Sequence, residues 1–434
     1  METKIIQRPD FMAKTRVVAS PWKRKLWHFL MVMGPGLIVM EADNDAGAVS
    51  TYTQAGAQYG YHLLWVLLLL LPVTYFIQEM VVRLGIATGK GHAAMIYQRF
   101  GKWWGRFSLF DLELVNFMTL VSEFALISLA CGKMGISPYI SVSVAALSLV
   151  GLVATGSYLK WERVVVFLCL LDLTWVALLF TAHPNAGELA KNTFLPTAPV
   201  GGFNSAVVYL IIAIVGTTVA PWQLFFQQSI VADKRLRFQD LKSARIDTFI
   251  GAVFTIVVAG CMMVIGNVLY TRHIGYEDPS QLAVAVRPIL GTFAKNAILM
   301  LAVNASILGT VAIALSSSFA YAEVAGWGHS LQKKVKDAPG FYIFYVLAVL
   351  AAGAIVLIPN APLQVIIIGV QVLAGVVLPV AIIFLQILLN DKELLGERFA
   401  NTKWNNYINW TIIIVLFILS FILAAQILLP NIFK

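Results

Sequence analysis

Apolar stretches of about 20 residues follow one another along the chain, separated by short polar segments. That is the length a helix needs to cross a hydrocarbon layer. Eleven spans are predicted, near 29–58, 62–87, 107–132, 138–155, 163–181, 204–231, 248–271, 294–327, 339–358, 362–390 and 405–429. The first and the sixth are longer than one plain crossing requires, which fits interrupted or extended helices. Segments 182–203 and 272–293 contain Pro and Gly and are read as connectors. The pattern gives an all-α polytopic membrane protein.

The polar exceptions inside these spans carry the chemistry. The first span places Glu41, Asp43 and Asp45 within five residues, followed by Gly47. A carboxylate at mid-bilayer depth costs roughly 2.5–3.5 kcal/mol on insertion scales. Three together point to a broken helix whose freed backbone, including the Ala42 carbonyl, lines a polar cavity for a cation. The plainer reading is capping or pairing with a buried cation, but no Lys or Arg lies at matching depth. The string from Asp43 is not a calcium loop, because Ala48 and Gln54 stand where that loop needs Gly and Glu.

The sixth span has a matching interruption at Gly216–Gln223. Pro221 lacks an N–H and frees a carbonyl one turn earlier. An ordinary proline kink would also explain it, but the paired position favours a site. There the Ala220 carbonyl and Gln223 are candidate ligands, and Trp222 is a candidate wall. In the third span Glu113 and Glu123, ten residues apart, share a face. They are read either as an acidic ion path or as internally satisfied. Asp172 and Gln371 are read as interhelical hydrogen-bonding groups or parts of the site. Glu79 and Arg83 are spaced for a local ion pair.

Composition narrows the ligand. The chain has 434 residues, 59% hydrophobic and 12% charged, with a mean hydropathy of +0.81, far from soluble-domain usage. The net charge of +9 sits in short loops, so it is no nucleic-acid signal. Of the 31 Lys and Arg, 25 fall on the side of the N-terminus and 6 on the other. That bias puts the N-terminus in the cytosol and the C-terminus outside. No cleavable signal peptide is read. Cys131, Cys169 and Cys261 have no metal spacing and read as free packing thiols. All six histidines fall at span ends or in loops. The expected site is therefore oxygen-only, suited to hard cations such as Mg²⁺, Ca²⁺ and Mn²⁺. No cofactor, nucleic acid or obligate protein partner is implied; the partners are divalent ions and the lipid bilayer.

The expected organisation is a basic cytosolic segment, 1–28, and one transport domain, 29–434. The domain would hold repeat one (about 29–181), repeat two (about 204–390) and an added helix (about 405–429). The interruptions at corresponding places suggest a five-plus-five inverted repeat.

The stretch GPG-x8-D-x-G-x6-QAGAQ from Gly34 to Gln58 resembles the NRAMP divalent-metal transporters. So do Gln78–Gly89, Thr119 and Glu123, Gln371, and Leu378–Pro379. The resemblance covers essentially the whole chain. It implies a LeuT-type fold, broken first and sixth helices, and movement of Mn²⁺ or Fe²⁺ with protons. The family's first-helix motif is Asp-Pro-Gly-Asn, and here Asp45-Ala46-Gly47-Ala48 stands in its place. The sixth-helix motif is Met-Pro-His-Asn, replaced by Ala220-Pro221-Trp222-Gln223. Gln227 stands at a further family His, and Leu120 at a family Asp. The soft sulfur and most proton-handling groups are thus absent. This pattern is similar to the NRAMP-related magnesium transporters, which implies Mg²⁺ and Mn²⁺ transport without protons. The resemblance then points to Asp45, Ala42, Ala220, Gln223, Asp43, Gln371, Ala48, Trp222 and Glu41 around the metal. Two other expectations stay open: a proton-coupled Mn²⁺/Fe²⁺ symporter using Glu113 and Glu123, and a sodium-coupled amino-acid carrier. An enzyme is disfavoured, because no nucleophile–base constellation is present.

Overall fold

The computed structural model describes Val32 and residues 34–154 and 158–428. The basic segment 1–28, the start of the first expected span and the C-terminal end lie outside the described residues. The described residues are helical, with no strand among them.

The first span is two half-helices, α1 (Pro35–Glu41) and α2 (Ala46–Tyr59). Then come α3 (Leu64–Thr88), a short α4 (His92–Phe100), α5 (Lys102–Lys133) and α6 (Pro138–Ala154). The fifth span is α7 (Tyr158–Leu171) and α8 (Thr174–Thr181), separated by a turn at Asp172. A surface helix α9 (Ala186–Phe194) precedes the second pair of half-helices, α10 (Ser205–Thr218) and α11 (Pro221–Asp233). The chain continues through α12 (Leu241–Thr271), α13 (Pro279–Ala325), α14 (Pro339–Val356) and α15 (Leu363–Asn390). It ends with a short α16 (Lys392–Phe399) and α17 (Lys403–Leu428).

Nine of these helical segments are long and apolar enough to cross a membrane, and Pro138–Ala154 is a shorter apolar one. With the α1–α2 pair they match the eleven expected spans. Two expectations need correction. The connector 182–203 contains α9, and the connector 272–293 holds the first part of α13. Gly291, at φ 88°, divides that part from the eighth span. Both unexpected helices open on a capping side chain. Asn185 accepts from the Gly187 and Glu188 N–H groups, and Asp278 from those of Ser280 and Gln281.

Helix packing repeats between the halves. The first span packs on the seventh (α1 and α2 on α12), and the sixth packs likewise on the second (α11 on α3). The third packs on the tenth (α5 on α15), and the eighth on the fifth (α13 on α7 and α8). The third and eighth spans, α5 and α13, pack on each other. This is the arrangement of two related five-helix units with the eleventh span, α17, laid against α15. Large apolar side chains such as Phe110, Leu147, Phe180 and Phe421 stand exposed on the outer faces. A protein surrounded by water would not display so much of them.

Candidate functional site

The first break is built by side chains that replace the helical ladder. α1 ends when the Ala42 N–H donates to the Ile38 carbonyl. α2 starts with Asp45 as N-cap, whose Oδ1 accepts the Ala48 N–H at 3.0 Å. The Ala46 N–H, which would otherwise close a turn on the Ala42 carbonyl, donates instead to Glu123 Oε2 at 3.1 Å. A carboxylate from the third span therefore holds the half-helix open. Among the described residues it leaves the Ala42 carbonyl without its ladder partner. In the second break, Pro221 sits at the first position of α11 and leaves the Thr217 carbonyl without its helical donor. The Ala220 carbonyl accepts the Gln223 N–H at 3.2 Å. The Tyr52 and Thr218 hydroxyls, 2.7 Å apart, tie the two broken spans together at this level.

Around these breaks the structure gathers Asp45, Asp43, Glu123 and Gln223. Glu123 lies in contact with Asp45, and Asp43 lies beside Asp45 and Gln223. Both Asp43 oxygens, Glu123 Oε1 and Gln223 Nε2 are buried without a hydrogen-bond partner. Gln223 Oε1 accepts from Gln78 Nε2 at 2.8 Å. Gln371 lies against the first turn of α2, next to the break, since a Cβ on Gly47 would overlap its amide, whose Nε2 is unpartnered. The eighth span closes the opposite side. A Cβ on Gly309 would stand 2.8 Å from both the Asp45 Cβ and the Glu123 carboxylate. Trp222 is fully buried, and its carbonyl accepts from Ser316 Oγ at 2.9 Å. Ala42, Ala48 and Ala220 are buried at the breaks and bring no polar side chain.

One residue expected around the metal, Glu41, sits elsewhere, and Glu113, expected on an acidic ion path or internally satisfied, lies apart from the breaks. Glu41 is held not with Asp45 but against Asp172, at the turn in the fifth span. Glu113 is half-buried further along α5, beside Ser317 of the eighth span. Ser317 also accepts from Asn116 at 2.9 Å, so a polar stripe runs along α5 from Glu123 toward Glu113. Glu79 pairs with Arg83 at 3.2 Å, as its spacing predicts, and also with Arg245. The direct contact of Glu123 with Asp45 was not readable from spacing, because it depends on how the third span packs.

The four carboxylates Glu41, Asp43, Asp45 and Glu123 are at most 2% exposed. The site is closed toward both ends. At one end Asp247 grips the start of the first span, accepting the Gly36 N–H at 2.7 Å and those of Gly34 and Leu37 at 3.3 Å. At the other end Tyr276, in the connector before α13, donates its hydroxyl to the Ser50 carbonyl at 3.1 Å and meets Thr53 at 2.9 Å. Gln364 of the tenth span accepts from Ser50 at 3.2 Å. Among the described residues no group of three or more His, Cys, Asp or Glu side chains is arranged to hold a metal by itself. A cation here must also use backbone carbonyls, amides or water.

A family model described as natural resistance-associated macrophage protein-like (Nramp) matches residues 36–426. A divalent metal cation transporter, MntH, of Staphylococcus aureus strain Mu3 is 26% identical over 422 residues, covering 92% of this chain and 91% of that protein. The crystal structure of the Eremococcus coleocola manganese transporter, bound to an aromatic bis-isothiourea compound, superposes with a TM-score of 0.73 at 18% identity. It covers 95% of this chain and 90% of that one. MhsT in complex with L-phenylalanine shares the architecture more distantly, with a TM-score of 0.60 at 14% identity over 91% and 98% of the two chains. The chain is a multi-pass membrane protein of LeuT-type fold and belongs to the NRAMP family of divalent-metal transporters.

Proposed function

We propose that the protein carries Mg²⁺, and also Mn²⁺, across the membrane by alternating access without moving protons in step. The observation that carries this reading is the donor set at the two breaks. Oxygens of Asp45, Asp43 and Gln223 gather there with no sulfur or imidazole among them. Oxygen ligands suit hard cations, and Mg²⁺ keeps several waters when few protein ligands are offered. Asp45 would supply charge directly or through one water. The Ala42 and Ala220 carbonyls and Gln223 would complete the pocket. Asp43, with both oxygens unpartnered, and Gln371 would bond the water shell; Trp222 forms a wall, and Ala48 leaves room.

The driving force is electrical. An interior-negative potential of 100 mV contributes about 2.3 kcal/mol per charge, hence roughly 4.6 for a divalent ion. We take the N-terminus as cytosolic, from the Lys/Arg bias, and the cell membrane as the site of action. Purified protein in liposomes tests the reading. Mg²⁺ uptake should proceed with no change in lumenal pH, and acidification in step with flux would sink it.

A second reading, proton-coupled Mn²⁺/Fe²⁺ symport, is favoured by Glu123 beside Asp45 and by the polar stripe leading to Glu113. Calorimetry separates the two: Mn²⁺ binding that Mg²⁺ does not displace would favour symport. An amino-acid carrier is disfavoured by the capping. The N-terminus of α2 is already covered by the carboxylates of Asp45 and Glu123, which would repel a substrate carboxylate.

A further inference from the structure

Transport chemistry at the breaks makes no use of Glu79, Arg83 and Arg245. These three close one end of a groove on the outer face of the molecule. In it Pro72, Val73 and Phe76 of α3 face Tyr407 and Ile408 of α17 across about 240 Å³ of open space. Pro72, Phe76, Glu79 and Arg83 recur three or four residues apart, so they share one face of α3, and the groove runs along it to the ion pair. The other bank is α12. Its Phe249 ring stands 5.7 Å from Tyr75 of α3. One turn earlier, Arg245 Nε donates to Glu79 Oε1 at 2.9 Å. Lys242, a further turn back on the same stripe, is exposed. Arg83 Nη1 donates to the Phe399 carbonyl at 3.0 Å. The Phe399 ring packs on Phe238 at 5.4 Å, and the Arg398 guanidinium lies 3.3 Å above the Phe238 ring.

This end of the groove is short of negative charge. Glu79 is shared between Arg83 and Arg245. Glu397, the acid beside Arg398, pairs with Lys392 at 3.8 Å. Among the described residues Lys242 meets no acid, and Arg398 meets only the Phe238 ring. The surface around these cations is apolar: Ile246, Phe249 and Ile250 stand exposed on α12, and Trp404 and Tyr407 on α17. Exposed Trp and Tyr rings at the end of a span mark the level of the lipid headgroups. A ligand that fits both the cations and the groove carries an anion on an apolar tail. We propose that this groove binds an anionic phospholipid. Its phosphate lies on Lys242, Arg245 and Arg398, and one acyl chain lies on Pro72, Phe76 and Ile408. Basic pockets between spans hold such headgroups by charge. A choline lipid fits worse, because its ammonium meets the same cations. The bound lipid joins the second, seventh and eleventh spans at one end, whichever ion is carried at Asp45.

The full chain, purified in detergent and stripped of native lipid, is titrated with phosphatidylglycerol or phosphatidylcholine and read by native mass spectrometry. A single phosphatidylglycerol should be retained in preference to phosphatidylcholine. Lys242→Gln combined with Arg398→Gln, both at exposed positions, should weaken that binding roughly tenfold. Lys334→Gln combined with Lys336→Gln removes the same charge from the exposed segment before α14 and should leave binding unchanged. Ile408→Trp, which fills the groove, should weaken it without any change of charge. Soluble glycerol phosphate, a headgroup without chains, should not displace the lipid. The proposal is overturned if the two lipids bind alike, or if both pairs of charge substitutions weaken binding equally. It is equally overturned if Ile408→Trp has no effect or if glycerol phosphate competes as well as the lipid, since the cations would then hold free phosphate and not a membrane lipid.

Discussion

At the scale of single residues, the first break rests on substitutions of one bonding partner for another. Asp45 caps α2, and Glu123 takes the Ala46 N–H that the helix would have given to Ala42. Asp45→Asn can still accept the Ala48 N–H, so the chain should fold while saturable Mg²⁺ binding at the cavity is lost; equilibrium dialysis reads this. Gly47, which follows the three acids, lies within the first turn of α2 rather than in the break, which falls at residues 42–45. Its lack of a side chain instead admits the Gln371 amide. Gly47→Ala should therefore lower thermal stability, by about 1–3 kcal/mol for overpacking. Combining it with Gln371→Ala, which removes the colliding atoms, should restore most of the loss. No pattern along the chain could have shown this, because the partner lies more than 300 residues away.

At the scale of elements, the half-helix α1 is fixed mainly at its ends. Asp247 of α12 accepts three N–H groups at its start, the same service a capping side chain gives within one helix. Asp247→Ala should cost about 0.5–2 kcal/mol of that docking. It should also shift the population toward forms opened at that end, measured as faster labelling of a cysteine placed near Gly36. The short α4 offers a pH test. Burial pushes the His92 imidazole down to about 4, and its bond to Gln228 only partly opposes this. The unfolded chain protonates this group near 6.5 and the folded chain does not. Stability is therefore full above about pH 6.5 and declines as pH falls toward 4. His92→Gln should flatten that part of the melting-temperature profile. The long apolar spans were legible because hydropathy depends only on composition. The turn at Asp172 was not, since residues 163–181 read as one apolar run around a single acid.

At the scale of the molecule, the two halves are packed by the same pairings, and the breaks in the first and sixth spans meet between them. Sequence reading reached this arrangement through one clue, polar interruptions at corresponding places, and the fold agrees. It placed the acids of the first span in one cavity, whereas the fold distributes them between two flanks, because a broken helix turns neighbouring residues to different sides. Both ends are shut at once, by Asp247 and by Tyr276. Tyr276→Phe removes the hydroxyl that reaches Ser50 and Thr53, and should speed ion exchange at that end in a liposome efflux assay.

The bond from Gln78 to Gln223 has one more consequence. The oxygen we assign to the travelling ion is already occupied by a neighbouring amide, so arrival and departure are exchanges rather than captures. A resident rival of this kind weakens the grip on the passenger and hastens its discharge. Swapping Gln78 for Leu should make the carrier retain Mg²⁺ more tightly and turn over more slowly.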